Sequence, residues 1–166
     1  FAAEKHKMQR RKGDGSSYIC HPLRCANWLR EKGVRNKDIL IATILHDTVE
    51  DTNTTLSEIA KTFGNIVAGY VAEVTDDKSL PKLTRKKLQV EHASGKSYGA
   101  KLIKLADKID NLTDLLNTPP DGWGREDIRG YYLWSREVLL NLGLEMRWIK
   151  YVNKIDKYTF DNSELI

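Results

Sequence analysis

The sequence has a helical period along almost its whole length, and this feature limits its possible folds more than any other. Apolar side chains recur three and four residues apart, and no segment sustains the alternation of apolar and polar residues that a half-buried strand shows. Glycines within residues 12–18 and the run Thr118–Gly122 interrupt the pattern. We therefore predict an all-α fold, a single domain of roughly eight or nine helices over residues 1–166.

The helical period also gives bounds for the helices. Residues 36–46 and beyond are apolar nearly all round, which predicts a helix in the centre of the fold. Thr55 and Glu58 have the spacing of a capping box, and Gly64 suits the end of the helix that they begin. The remaining helices are predicted over residues 1–11, 21–33, 65–74, 82–93, 100–116, 125–142 and 144–158.

Composition excludes several classes of protein. Apolar residues make up 40% and charged residues 30% of the chain, which indicates a folded protein. No apolar run approaches the roughly 20 residues of a membrane span, so we expect no membrane association. The net charge of +4 fits an anionic small ligand or a weak contact with nucleic acid.

The two cysteines, Cys20 and Cys25, are five residues apart and form neither a disulfide framework nor a C-x-x-C motif. We therefore expect unpaired thiols and a cytoplasmic location. Because the chain begins at Phe1, we also expect further residues to precede it in the natural protein.

His46 and Asp47 lie in the most apolar predicted helix, where a buried imidazole and carboxylate are costly unless they are paired or bind a metal. Glu50 and Asp51 follow at three- and four-residue spacings, which places the four side chains along one side of a continuous helix. Three carboxylates this close repel one another unless they share a cation or a proton. A divalent metal would resolve this repulsion.

Two further residues complete a candidate metal site. His21 stands at a predicted helix start, and Asp107 lies at the edge of the apolar stripe of the helix predicted over residues 100–116. Two imidazoles and two carboxylates form a mixed nitrogen and oxygen site, which suits Mn²⁺, Fe²⁺ or Zn²⁺ better than Ca²⁺ or Mg²⁺. Four protein ligands leave open positions for water and substrate, as in a catalytic site.

The pattern H…HD…D on an all-α chain resembles the HD-domain phosphohydrolases, and the surrounding residues resemble the hydrolase domain of RelA/SpoT proteins. Residues 122–123 (GW) and 131–134 (YYLW) are similar to the single-domain animal members of that family. The motifs that carry the resemblance are QRRK at 9–12, YICHP at 18–22, LHDTVEDT at 45–52, EVTDDK at 73–78, RK at 85–86 and KLADK at 104–108.

This resemblance implies an HD-domain helical bundle that hydrolyses the 3′-pyrophosphate of guanosine tetra- and pentaphosphate, usually with Mn²⁺. The implied metal ligands are His21, His46, Asp47 and Asp107. Glu50 and Asp51 match the acidic pair that positions or deprotonates the attacking water. The implied substrate-binding residues are Arg11, Lys12, Asn111 and Tyr131.

Some positions depart from the family pattern. Ser17 replaces a common proline, and Thr113 stands where many relatives carry arginine, which predicts looser contacts with the substrate. The chain has no room for a synthetase domain, so the resemblance implies hydrolysis only.

Two other functions remain open at this point. Animal members of the family are also associated with removal of the 2′-phosphate of NADPH, which likewise places a phosphate beside a ribose oxygen. A non-catalytic module that binds a nucleotide or nucleic acid is the alternative of another class. We expect a small-molecule nucleotide substrate and no nucleic-acid partner, and the sequence leaves the oligomeric state open.

Overall fold

Helices dominate the computed structural model, which describes residues 1–148 and 150–151. This described part contains nine helices with defined bounds, further helical residues at 146–148 and 150–151, and no strand, which confirms the all-α prediction. The helices are α1 (Ala2–Lys5), α2 (Cys20–Glu31), α3 (Lys37–Leu45), α4 (Thr48–Asp51), α5 (Leu56–Phe63), α6 (Asn65–Val74), α7 (Lys82–Glu91), α8 (Tyr98–Asn117) and α9 (Arg125–Asn141).

Four helices surround the core. Helix α2 packs on α3 and α8, and α6 packs on α3 and α8 from the other side. Their inward faces carry large, fully buried aliphatic side chains, and the interior includes Leu29, Ile103, Leu105, Val67 and Val71. The start of α2, the end of α3 and the middle of α8 consequently meet in the interior.

Helix α1 is shorter than the sequence predicted, because it ends at Lys5 rather than at residue 11. The chain after it folds back on itself. The backbone N–H of Arg11 donates to the carbonyl of Ser16 (2.9 Å), and that of Tyr18 donates to the carbonyl of Gln9 (3.1 Å). The predicted helix over residues 6–11 was therefore wrong, and these residues form one side of a loop.

The helix predicted to run through His46 is broken at that residue. Helix α3 ends at Leu45 and α4 begins at Thr48. The Thr48 hydroxyl donates to the carbonyl of Leu45 (2.7 Å), and His46 Nδ1 lies 2.7 Å from the carbonyl of Thr43. These side chains satisfy carbonyls at the helix end, so the expectation of one continuous helix was wrong.

One hydrogen bond of the predicted capping box is present, because Thr55 Oγ1 accepts from the backbone N–H of Glu58 (3.2 Å); the Glu58 carboxylate contacts Lys5 Nζ (3.0 Å). Gly64 separates α5 from α6 with a φ of 94°, a value that favours glycine. Part of the last predicted helix, at residues 149 and 152–158, lies outside the described residues. Among the residues that are described, no helix combines the length and apolar character needed to cross a membrane.

Candidate active site

The four predicted metal ligands converge in the interior. His46 Nε2 lies 3.1 Å from Asp47 Oδ2 and 3.8 Å from Asp107 Oδ1. His21 Nε2 lies 3.7 Å from Asp47 Oδ2 and 3.4 Å from Asp107 Oδ1. The break between α3 and α4 makes this possible, since neighbouring residues of a regular helix do not face the same point.

Both imidazoles fit the role of metal ligand. His46 Nδ1 faces the carbonyl of Thr43, and His21 Nδ1 lies 2.7 Å from Asp110 Oδ2. Each Nδ1–H thus has an acceptor, which directs Nε2 of both rings towards the carboxylates. The two Nε2 atoms are buried without a hydrogen-bond partner in the described part of the chain. Buried polar atoms are rarely left without a partner, so this donor set fits a cation between them.

The short distances between these groups shift their pKa values. Burial alone would lower the pKa of His46, but Asp47 and Asp107 outweigh it and raise this pKa to about 10. Burial would raise the pKa of Asp47, and the neighbouring His46 instead holds it well below its usual range. The pKa of Asp107 is lowered in spite of burial by Lys108 and the two imidazoles. A cation bound between these groups would replace the proton of His46, because only a neutral imidazole binds a metal.

Glu50 and Asp51 share one cationic partner, Lys78. Glu50 Oε2 accepts from the backbone N–H of Asp76 (3.0 Å), and burial raises the pKa of its carboxyl group. Asp51 Oδ1 lies 2.8 Å from Lys78 Nζ, which also lies 3.2 Å from Glu50 Oε1. Lys78 therefore links the two acids, although the sequence reading had not assigned it a role.

A cavity of about 420 Å³ brings together all four predicted substrate-binding residues. Asp51 also lines it, whereas Glu50 is not among its lining residues. Its volume lies within the range of small-molecule sites. The wall residues include Arg11, Lys12, Asn111, Tyr131, Arg10, Asp114, Lys78 and Trp123.

Asn111 connects this cavity to the predicted metal ligands. Its Nδ2 donates to Asp107 Oδ1 (2.6 Å), and its Oδ1 accepts from Arg11 Nη2 (2.8 Å). Both ends of the amide are therefore used. Arg11 also donates to Asp114 Oδ2 from Nε (3.0 Å) and Nη2 (2.8 Å), and its guanidinium lies 5.7 Å from the centre of the Tyr18 ring.

Several residues of the site were missed by the sequence reading. Tyr18 donates its hydroxyl to Asp47 Oδ2 (2.7 Å), and Asp110 lies against His21. Tyr18 stood in a recognised motif and Asp110 lies two residues after another, but nothing in their spacing showed which way their side chains point. Lys104 and Lys108 of α8 are also buried, with Lys108 Nζ 4.2 Å from the centre of the Trp134 ring. Trp134 comes from α9, so the apolar periodicity of α8 could not show that a side chain of another helix covers Lys108.

Thr113 lies on another side of α8 from this cavity. It lines a separate depression together with Arg24 and Trp28. Thr113, where many relatives carry arginine, therefore lies away from the predicted substrate contacts. The guanidinium of Arg24, from α2, lines the same depression as Thr113. Ser17 pairs with Arg10 in an isolated antiparallel bridge that closes the loop.

Both cysteines are free, as the sequence predicted. Cys25 Sγ lies 3.7 Å from His21 Nδ1, and with Asp110 these residues form a second group with metal-ligating atoms. Arg24 binds both oxygens of Asp110, and burial raises the pKa of the Cys25 thiol. These features favour the interpretation that this group orients His21 over the interpretation that it binds a second metal.

Comparison with known proteins agrees with this geometry. The sequence profile of the HD domain matches residues 1–129. The chain is 53% identical over 144 residues to the Xenopus tropicalis protein named guanosine-3′,5′-bis(diphosphate) 3′-pyrophosphohydrolase MESH1, with 86% of this chain and 80% of that protein covered. The human protein of the same name is 51% identical over the same shares.

A solved structure also has a fold similar to that of this chain. It is described as a metazoan orthologue of SpoT that hydrolyses ppGpp and plays a role in starvation responses, and it superposes with a TM-score of 0.92 at 42% identity. The superposition covers 96% of this chain and 91% of the other. On the matched profile, the shared fold and the identity to these relatives, the chain belongs to the HD-domain family, together with the MESH1 hydrolases.

Proposed function

We propose that this protein hydrolyses the 3′-pyrophosphate of guanosine-3′,5′-bis(diphosphate), ppGpp, to GDP and pyrophosphate. The observation that carries the proposal is the pair of buried, unpartnered Nε2 atoms of His21 and His46 between two carboxylates, beside a cation-lined cavity. The names of relatives about 50% identical support the same reaction. We take residues 1–166 as one hydrolase domain.

His21, His46, Asp47 and Asp107 would hold a divalent cation. A cation bound there would polarise a phosphoryl oxygen and acidify a water molecule. The mixed nitrogen and oxygen donors favour Mn²⁺, with Zn²⁺ or Fe²⁺ as alternatives.

Glu50 and Asp51 would handle the proton of the attacking water. Because burial raises the pKa of Glu50, its carboxylate is a better proton acceptor than an exposed one. Asp51 faces the cavity and is held by Lys78. In the reaction, water forms a bond to phosphorus, the bond from phosphorus to the ribose 3′ oxygen breaks, a carboxylate accepts the proton of water, and the 3′ oxygen is protonated from solvent.

The cavity wall would recognise the nucleotide. The Arg11 guanidinium is held by Asn111 and Asp114, so its plane is available for stacking against a base. Lys12 forms no ion pair within the part of the chain that the structure describes, which leaves its charge for a phosphate. Tyr131 forms a wall whose ring lies 5.8 Å from that of Trp123.

The test is turnover by metal-stripped protein after addition of Mn²⁺, Zn²⁺ or Fe²⁺. ppGpp and NADPH are offered separately, and pyrophosphate and phosphate are followed independently. We expect Mn²⁺-dependent pyrophosphate release from ppGpp. Phosphate release from NADPH alone would replace this function with the 2′-phosphatase activity. Binding of either nucleotide without turnover, under every metal, would favour the non-catalytic module.

We further propose a cytoplasmic location, supported by the two free cysteines. Fractionation of cells that produce the protein tests this, and recovery from an oxidising compartment would refute it.

A further inference from the structure

A chain of ion pairs runs from the cavity to a metal ligand along the outside of α8. Its two carboxylates, Asp110 and Asp114, lie one helical turn apart and would repel each other without a cation between them. The order of the contacts is Arg11, Asp114, Arg24, Asp110 and His21.

Arg24 of α2 is the centre of this chain. Its Nε donates to Asp110 Oδ1 and its Nη2 to Asp110 Oδ2, both at 2.7 Å, and Nη2 also donates to Asp114 Oδ2 at 2.7 Å. A two-point contact of this kind fixes the plane of a carboxylate as well as its position. The Arg24 side chain is 40% exposed and lines a depression separate from the cavity. Its hydrogen bonds therefore reach the site through the two aspartates.

Each aspartate holds one functional residue. Asp110 Oδ2 accepts from His21 Nδ1, which fixes the ring orientation that turns Nε2 inwards. Asp114 Oδ2 accepts from both Nε and Nη2 of Arg11, which fixes the guanidinium at the cavity wall.

We propose that Arg24 is a positioning residue that serves both the metal centre and the nucleotide cavity, although it touches neither metal nor substrate. This inference rests on the proposed function. Without Arg24, Asp110 loses two hydrogen bonds and Asp114 loses one, and both carboxylates gain freedom to rotate. His21 and Arg11 then lose their fixed orientation together.

The experiment measures binding instead of turnover. Titration calorimetry gives the affinity of metal-stripped protein for Mn²⁺ and, in a separate titration with chelator present, for GDP. We expect Arg24→Ala to weaken Mn²⁺ binding roughly 10- to 100-fold, as outer-shell changes do. We expect GDP binding to weaken about tenfold, within the range for coupled residues of one network.

Two further variants separate positioning from general destabilisation. Arg24→Lys keeps the charge but cannot form the two-point contact, so it should retain the fold and recover only part of each affinity. Arg30→Ala removes an exposed arginine from the same helix, whose side chain contacts Asn27, and should leave both affinities unchanged. Circular dichroism and the melting temperature report whether each variant folds.

The outcomes are distinct. Loss of both affinities in folded Arg24→Ala or Arg24→Lys, with Arg30→Ala like the wild type, supports the inference. If either affinity is unchanged in a folded Arg24 variant, Arg24 does not serve both sites and the inference is overturned. Wild-type protein that binds neither Mn²⁺ nor GDP would instead defeat the proposed function on which the inference rests.

Discussion

Metal binding should depend strongly on pH, because the metal replaces a proton. In the metal-free protein, Asp47 and Asp107 raise the pKa of His46 to about 10, so this imidazole is protonated at neutral pH. Only a neutral imidazole binds a metal. Each metal bound therefore releases one proton from His46, and the apparent Kd should fall about tenfold per pH unit, or roughly 100-fold between pH 6.5 and pH 8.5. Burial would lower the pKa of His21, but Asp107 and Asp110 outweigh it and raise this pKa as well.

The raised pKa of His46 also determines how the stability of the metal-free protein changes with pH. A raised pKa stabilises the metal-free fold fully below the unfolded value of about 6.5, and this contribution is lost as the pH rises through about 10. Metal-free protein should therefore lose stability through His46 over that window, and metal-loaded protein should not. Mn²⁺ titration calorimetry in buffers of different ionisation heat counts the released protons. The exposed His92 offers a control, since His92→Gln should keep the same slope. A Kd that does not change from pH 6.5 to pH 8.5 would refute the assigned charges.

Three further changes test separate parts of the site. Tyr18→Phe removes the hydroxyl that donates to Asp47 and should weaken Mn²⁺ binding about tenfold, as measured by calorimetry. An unchanged affinity would exclude a positioning role for Tyr18. In Gly13→Ala the new Cβ would clash with the backbone carbonyl oxygen of Thr118, so the loop must move. KM should rise severalfold with Mn²⁺ affinity unchanged, whereas the matched change Gly130→Ala, at a position with open space, should leave KM unchanged. Glu50→Gln should lower kcat roughly 10²- to 10⁴-fold and keep the metal. Because burial places the pKa of Glu50 above its usual 4.5, the acid limb of kcat/KM, measured at saturating Mn²⁺, should vanish in Glu50→Gln. A Glu50→Gln protein that no longer binds Mn²⁺ would instead make Glu50 a metal ligand.

The fold could be predicted largely because helical period and caps are local signals. Thr55 and Gly64 bound α5 as expected. The break at His46 could not be predicted, because it depends on side-chain hydrogen bonds by His46 and Thr48 to backbone carbonyls within an apolar run. The short α1 has a similar cause, since pairing across the following loop competes with the helix.

The candidate ligands could be named from residue type and family resemblance, but their supports could not. Arg24 and Asp110 are 86 residues apart and meet only when α2 packs on α8. The burial of Lys108 depends on Trp134, which α9 supplies. Such contacts are set by tertiary packing, and an isolated helical pattern holds no information about them.

The most direct test of the account is pyrophosphate release from ppGpp by Mn²⁺-loaded wild type and Asp47→Ala. The matched control is Asp38→Ala, which alters an acid in the first turn of α3. The account predicts Mn²⁺-dependent release by wild type and Asp38→Ala, and no release above background by folded Asp47→Ala. Release at the wild-type rate by Asp47→Ala would contradict the metal centre described here.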